Sequence, residues 1–172
     1  MLYTCALTHC AANEKDVMTE HTLPMPDGGG ALDFCLRLAR AQALIVRRFD
    51  SILGNLHGLS FSDYQLLYHL QRAPGGRLRR IDLAERLALT ASGITRSLMP
   101  LEKIGLVARQ ADARDARVGY AAITEAGLAL LAHANTTAQA LGQELLGNAS
   151  ADQLAPLSML LGTIAGNQPA NG

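Results

Sequence analysis

The sequence contains no tryptophan, only 4% aromatic residues and no excess charge of either sign, with 15 Lys and Arg against 15 Asp and Glu over 172 residues. The scarcity of rings beside an abundance of Ala and Leu argues against an all-β fold and for helices, because those side chains lose little freedom in a helix. The three cysteines, Cys5, Cys10 and Cys35, form no C-x-x-C pair and are odd in number. Neither a disulfide framework nor a zinc knuckle is signalled, and a reducing cytosol fits best. His9, His21, His57, His69 and His133 show no metal-ligand spacing, so no metal and no cofactor are expected. No window reaches the ~20 apolar residues of a membrane span. Met1 to Cys10 carries no Lys or Arg and no small-residue cleavage site, a poor secretory signal. The expectation is a soluble cytoplasmic protein without a membrane partner. Zero net charge, taken alone, argues against nucleic acid, which needs clustered Lys and Arg.

What is present is 49% hydrophobic residues in a length suited to one domain. Such a chain buries roughly 70% of its unfolded surface and needs no staples. Residues 1–30 hold mixed charges, Pro24, Pro26 and three consecutive glycines, the composition of a flexible arm, with Met18 or Met25 as alternative starts. A domain is expected over 31–165 and a tail over 166–172. From Leu32 to Leu56 two adjoining apolar stripes recur at helical spacing, predicting a helix covered on more than one side, with Arg37, Arg40, Arg47 and Arg48 on the remaining face. Ser60 or Ser62 caps a second helix that Pro74-Gly75-Gly76 ends. Arg77 to Arg80 is extended and Ile81 to Leu87 a brief helix. Thr90 or Ser92 caps a further helix to Ile104, in which Pro100 predicts a bend and Gly105 a stop. Two short strands flank a charged turn, Ala111 to Arg117, as a β-hairpin. Thr124 opens a long helix to about Leu146, and a last helix lies between Ser150 and Ala165, starting or kinking at Pro156.

That order of elements is that of a winged helix-turn-helix, whose second short helix enters the DNA major groove. The runs Ile81-Asp82-Leu83-Ala84-Glu85-Arg86-Leu87, Ser92-Gly93-Ile94-Thr95-Arg96, Leu101 to Val107 and Asp112-Ala113-Arg114-Asp115-Ala116-Arg117, followed by Ile123-Thr124-Glu125-Ala126-Gly127, resemble the multiple-antibiotic-resistance regulator (MarR) family over about residues 32–165. The Asp-x-Arg-Asp-x-Arg hairpin is the most specific of these signals. The resemblance implies a mainly α fold, with a DNA-binding winged helix over 60–123 flanked by dimerisation helices over 31–56 and 124–165.

The charge, read by segment, agrees. Between Arg77 and Arg117 nine Lys and Arg residues face five acids, a local net of +4, whereas no Lys or Arg follows Arg117. A neutral total thus conceals a basic module beside a mildly acidic one. Ser92, Thr95 and Arg96, in the first turns of the recognition helix, are candidate contacts to base edges or phosphates, with Thr90 and Arg80 beside them. The plainer role for Ser92 is a helix cap. Arg114 and Arg117 are candidates for the minor groove, with Asp112 and Asp115 as bracing partners, although a charged hairpin tip is ordinarily only solvated surface.

By the same resemblance the chain is a homodimer, and the double stripe points the same way, since a monomer would expose one stripe as a large patch. Two-fold symmetry then predicts a pseudo-palindromic operator with half-sites ~10 bp apart. The family's small aromatic acid or phenolic effectors suggest Arg47, His57, Tyr64 and Tyr68 as lining of a ligand site, against the ordinary reading of a Tyr as core with its hydroxyl at the surface. Cys35 lies near the reactive cysteine of hydroperoxide-sensing members and offers a thiol-based alternative. Those sensors carry tyrosines on the thiol where this chain has Ala39 and Phe49, so a small buried packing residue is the preferred reading. No catalytic constellation or phosphate loop is visible, and the expectation is a DNA-binding regulator, a ligand-responsive repressor, rather than an enzyme. A winged helix used purely for protein assembly is the alternative from another class.

Overall fold

A computed structural model of the chain describes residues 30–111, 119–147 and 149–166. The elements run α1 (Gly30–His57), α2 (Phe61–Gln71), a 3-10 turn (Pro74–Gly76), β1 (Arg77–Arg79), α3 (Arg80–Arg86), α4 (Ala91–Lys103), β2 (Val107–Ala111), β3 (Gly119–Ile123), α5 (Glu125–Leu146) and α6 (Ala151–Ile164). The mainly α winged-helix architecture expected from the sequence is the one observed. The chain divides into two units, residues 1–38 and 39–172. The described part of the first is the opening of α1, where Arg37 Nε donates to Asp33 Oδ2 at 2.5 Å, one helical turn back.

In the second unit, helix boundaries follow their caps. Ser60 and Ser150 each form a reciprocal capping box, with Asp63 and Gln153 respectively. Thr90 and Thr124 accept from the N–H of Gly93 and Gly127. α4 runs unbroken through Pro100, whose missing N–H removes only one of its internal bonds. α6 falls within the expected span from Ser150 to Ala165; of the two alternatives at Pro156, a start there is not met, because the capping box at Ser150 starts the helix at Ala151 and leaves Pro156 inside. The hairpin tip, with Asp112, Arg114, Asp115 and Arg117, lies outside the described residues, as do the 1–29 arm and the end of the tail.

The core gathers where α2, α3, α4 and α5 meet the end of α1. Leu53, Leu66, Leu67, Leu83, Leu98 and Leu131 are each fully buried. The three strands form one antiparallel sheet in the order β1-β3-β2, with Leu78 opposite Ala121 and Val107 opposite Ile123. Strand alternation then turns Leu78, Val107 and Ala121 inward and leaves Arg77, Arg79, Gln110 and Tyr120 on the other face.

α4 reaches the sheet through a tight reversal. Gly105 adopts φ +79°, the N–H of Leu106 bonds the Leu101 carbonyl at 2.9 Å, and that of Gly105 bonds Glu102 at 3.2 Å, a Schellman ending. α5 then packs onto the same residue: a Cβ on Gly127 would stand 2.3 Å from the Leu106 carbonyl oxygen. Only glycine allows that approach. Replacing Gly127 with Ala should lower the unfolding free energy by about 1–3 kcal/mol through forced displacement of β2 from α5. An unchanged urea midpoint would refute the close approach.

Candidate nucleic-acid interface

α3 and α4 are joined by Leu87 to Thr90. The N–H of Leu89 bonds Ala84 at 2.8 Å and that of Ala88 bonds Glu85 at 3.1 Å, the same closure as at Gly105. Ala88 therefore sits at φ +51°, a conformation that strains any residue with a Cβ. The turn fixes where α4 starts. Thr90 Oγ1 takes the Gly93 N–H at 3.0 Å and lies 3.1 Å from Ser92 Oγ. Ile94, Leu98 and Leu101 anchor the inner face of α4 in the core. Its outer face presents Ser92, Thr95 and Arg96, all exposed, with Thr95 Oγ1 donating to the Ala91 carbonyl at 2.9 Å.

A cleft of about 410 Å³ opens beside this face, lined by Arg79, Arg80, Ile81, Ala91, Ile94, Thr95, Arg109 and Gly119. It brings together two residues named from sequence, Arg80 and Thr95, and adds two that sequence reasoning passed over, Arg79 and Arg109. The signal for Arg109 lay in strand alternation. Opposite the buried Ala121, it shares the helix-facing side of β2 and projects where that side reaches solvent. Thr90, Ser92 and Arg96 lie along α4 outside the cleft, and Arg114 and Arg117 are not among the described residues.

Arg80 is held from within. Its Nη2 donates to Glu102 Oε1 at 2.5 Å across 22 residues, tying the first residue of α3 to the last turn of α4. Its side chain is only 19% exposed, and its Nε is buried with no hydrogen-bond partner. Arg80 thus braces the two helices. Arg79, by contrast, is exposed and makes a bidentate pair with Asp82, at 2.8 Å and 2.7 Å. That pair keeps its guanidinium firmly protonated, through the hydrogen bond first and the charge second. On the opposite face of the sheet Arg77 stands 5.0 Å above the Tyr120 ring.

The residues named for ligand binding separate. Tyr64 and Tyr68 line one cleft between α2, α1 and α5, with Tyr64 Oη donating to Asn135 Oδ1 at 2.9 Å. Burial first, and then Tyr68, raises the Tyr64 phenol above its ordinary value, so it stays a donor at neutral pH. Arg47 faces a different, shallow surface with Gln42, Val46 and Asp50, and His57 is engaged with Thr137 Oγ1 at 2.8 Å. Cys35 corrects its preferred reading: it is exposed, because the opening of α1 buries none of its side chains. Among the described residues no group of three His, Cys, Asp or Glu could hold a metal, and no helix is long and apolar enough to cross a membrane.

A helix-turn-helix backed by a three-stranded sheet, with an exposed polar and basic face on its second helix, defines a winged-helix protein. Residues 57–118 match the model of the MarR family. Among solved structures the chain is similar to the transcriptional regulator BldR from Sulfolobus solfataricus, at 28% identity over 81% of this chain and 99% of that one, with a TM-score of 0.72. It is similar in fold to Sco3205, a MarR family transcriptional regulator from Streptomyces coelicolor in complex with DNA (24% identity, 87% and 94% covered, TM-score 0.75). The same holds for CouR from Rhodococcus jostii RHA1 bound to p-coumaroyl-CoA (23% identity, 78% and 93% covered, TM-score 0.69). The described chain thus has the winged-helix fold, and its segment 57–118 is similar to the MarR family of transcriptional regulators.

The brace between α3 and α4 can be tested directly. Glu102→Gln removes the charged acceptor of a half-buried guanidinium, and the unfolding free energy should fall by about 1–3 kcal/mol. A thermal midpoint within error of the parent protein would show that Arg80 holds nothing in place.

Proposed function

We propose that the protein is a homodimeric, ligand-responsive repressor that binds a pseudo-palindromic operator. The observation that carries the DNA reading is the exposed outer face of α4, whose Ser92, Thr95 and Arg96 contribute nothing to the core while Ile94, Leu98 and Leu101 fix the helix beneath them. Short hydroxyls and a guanidinium in the first turns of such a helix suit phosphates and base edges, and Arg suits a guanine edge above all. In this reading Thr90 sets the start of the helix, Arg109 adds a phosphate contact from the cleft, and Arg114 and Arg117 reach the adjoining minor groove. Arg80 acts through its brace. The DNA complex of the similarly folded Sco3205 supports the same docking.

The homodimer rests on unburied apolar helices. α6 has no buried residue, and Leu157, Met159, Leu160, Leu161 and Ile164 are all exposed. α1 buries only Phe49 and Leu53, leaving Leu32, Leu36, Leu44, Ile45 and Leu56 open. Surfaces this apolar are covered in solution, and a second copy is the economical cover. Light scattering should give twice the 18.3 kDa chain mass. A monomer at micromolar concentration would remove the two-fold operator with it.

Ligand response rests on the cleft of Tyr64 and Tyr68, which joins α2 of the DNA lobe to α1 and α5, so that an occupant would bear on both. The similarly folded CouR holds a ligand, p-coumaroyl-CoA. Repression needs only that the occupied operator overlap a promoter.

Footprinting and anisotropy on the DNA flanking its own gene test the reading. Protection should cover two half-sites ~10 bp apart. Arg96→Ala should weaken binding by about 1–3 kcal/mol, roughly 5- to 150-fold, and relax preference at one base pair. No protected site would favour a winged helix used for protein assembly, and an Arg96→Ala variant that binds as the parent does would remove Arg96 from the DNA contact.

A further inference from the structure

α1 and α2 are joined by a short link, Gly58 to Ser60, and by one side chain that bypasses it. α1 ends where Gly58, at φ +67°, lets its own N–H and that of Leu59 bond back to the Gly54 and Leu53 carbonyls, at 3.1 Å and 3.4 Å. Leu59 is buried, so the link is anchored at its midpoint. The opening N–H groups of a helix have no partner within it. In α2 the Ser60 cap takes that of Asp63 at 3.1 Å. The N–H of Phe61, the first residue of α2, goes instead to Asp50 Oδ1 of α1, at 2.7 Å.

Phe49, next to Asp50, is buried with its ring centroid 4.3 Å from that of Phe61. Two consecutive residues of α1 therefore hold the first residue of α2, one by its backbone and the other by its ring. Ring contact leaves the helices free to swivel, whereas a hydrogen bond has a direction. With a carboxylate as acceptor at a helix N-terminus it is also one of the stronger kind.

The two helices so joined serve different parts of the proposed function. Along α1, Ala39, Ala43, Val46 and Asp50 recur at helical spacing on one shallow surface groove, so Asp50 closes the face left open for a second copy. α2 buries Leu66, Leu67 and Leu70 in the core that also holds Leu98 of α4, so α4 moves as α2 moves.

We propose that Asp50 is a positioning residue for operator recognition. Through the Phe61 N–H it passes the placement of α1 in the dimer to α2, and so sets the distance between the α4 helices of the two copies. This rests on the homodimeric, operator-binding reading and adds the side chain that matches protein to half-site spacing.

Anisotropy of the full chain on the footprinted operator tests it with three duplexes: both half-sites, both with one base pair inserted at the centre, and a single half-site. Asp50 is exposed, so its replacement leaves the core intact. Asp50→Ala should bind the two-site duplex about tenfold more weakly than the parent, the loss of one charge-assisted hydrogen bond, and the single half-site within about twofold. Its discrimination against the inserted base pair should shrink about threefold or more, because lobes freed from α1 accept a second spacing. Asp50→Asn keeps an acceptor oxygen and should stay within about threefold of the parent on every duplex. An equal loss on two-site and single-site DNA would overturn the proposal by making Asp50 a plain structural contact. So would variants with parent affinity and spacing preference, or an Asp50→Asn chain as weak as Asp50→Ala. Monomers of Asp50→Ala in light scattering would overturn it as well, by placing the carboxylate in the dimer contact itself. A parent chain that binds no two-site duplex would take the operator reading down with this inference, whereas failure in the variants alone leaves that reading standing.

Discussion

Leu106 is where the winged-helix lobe is held together. Its N–H closes the end of α4 on Leu101, and its carbonyl accepts from the Thr124 N–H and hydroxyl, both at 3.1 Å. Thr124 Oγ1 also reaches the Gly105 carbonyl at 2.7 Å, and Gly127 lies close enough to Leu106 to forbid a side chain. One residue thus fixes the exit of α4, the start of β2, the end of β3 and the first turn of α5. The groups involved are short-range and directional, so the junction tolerates little variation in residue type.

Around that junction the lobe separates holding from touching. Ile94, Leu98 and Leu101 keep α4 in place by burial, Thr90 by its cap, and Arg80 with Glu102 by a brace to α3. None of these needs the outer face, which remains exposed. The cost is local strain at Ala88 and a buried guanidinium nitrogen without a partner. Both lie at the α3–α4 corner, where position counts for more than stability.

Much of this was legible in the residues. Helix starts were read to within a residue or two wherever a Ser or Thr preceded an apolar run, because capping is local chemistry: Ser60, Thr90, Thr124 and Ser150 all cap as their position implies. For the last helix the span from Ser150 to Ala165 was legible, while Pro156 left its start open; the capping box at Ser150, six residues earlier, outweighs one missing N–H. The site was less legible, since it depends on pairings across the chain. Nothing near Arg80 in sequence announces Glu102, nor does spacing along α1 reveal that Arg47 and His57 point away from the Tyr64 and Tyr68 cleft. Arg109 was readable from strand period, but only once the register against β3 fixed which face was inward. Cys35 shows the same limit in reverse: the reading as a small packing residue implied burial that the single chain does not provide.

The seating of α5 at Thr124 has a mechanical consequence. With 22 residues the helix is about 33 Å long, and its first turn is clasped to the root of the sheet while its far end carries exposed Leu145 and Leu146. A stiff rod clamped at one end is a lever. A tilt of a few degrees, set by whatever packs against the distal leucines or enters the cleft at Asn135 and Gln139, arrives at Leu106 as a rotation of the same angle. β2 and α4 are joined there, so they would turn together and keep their spacing while their direction changes.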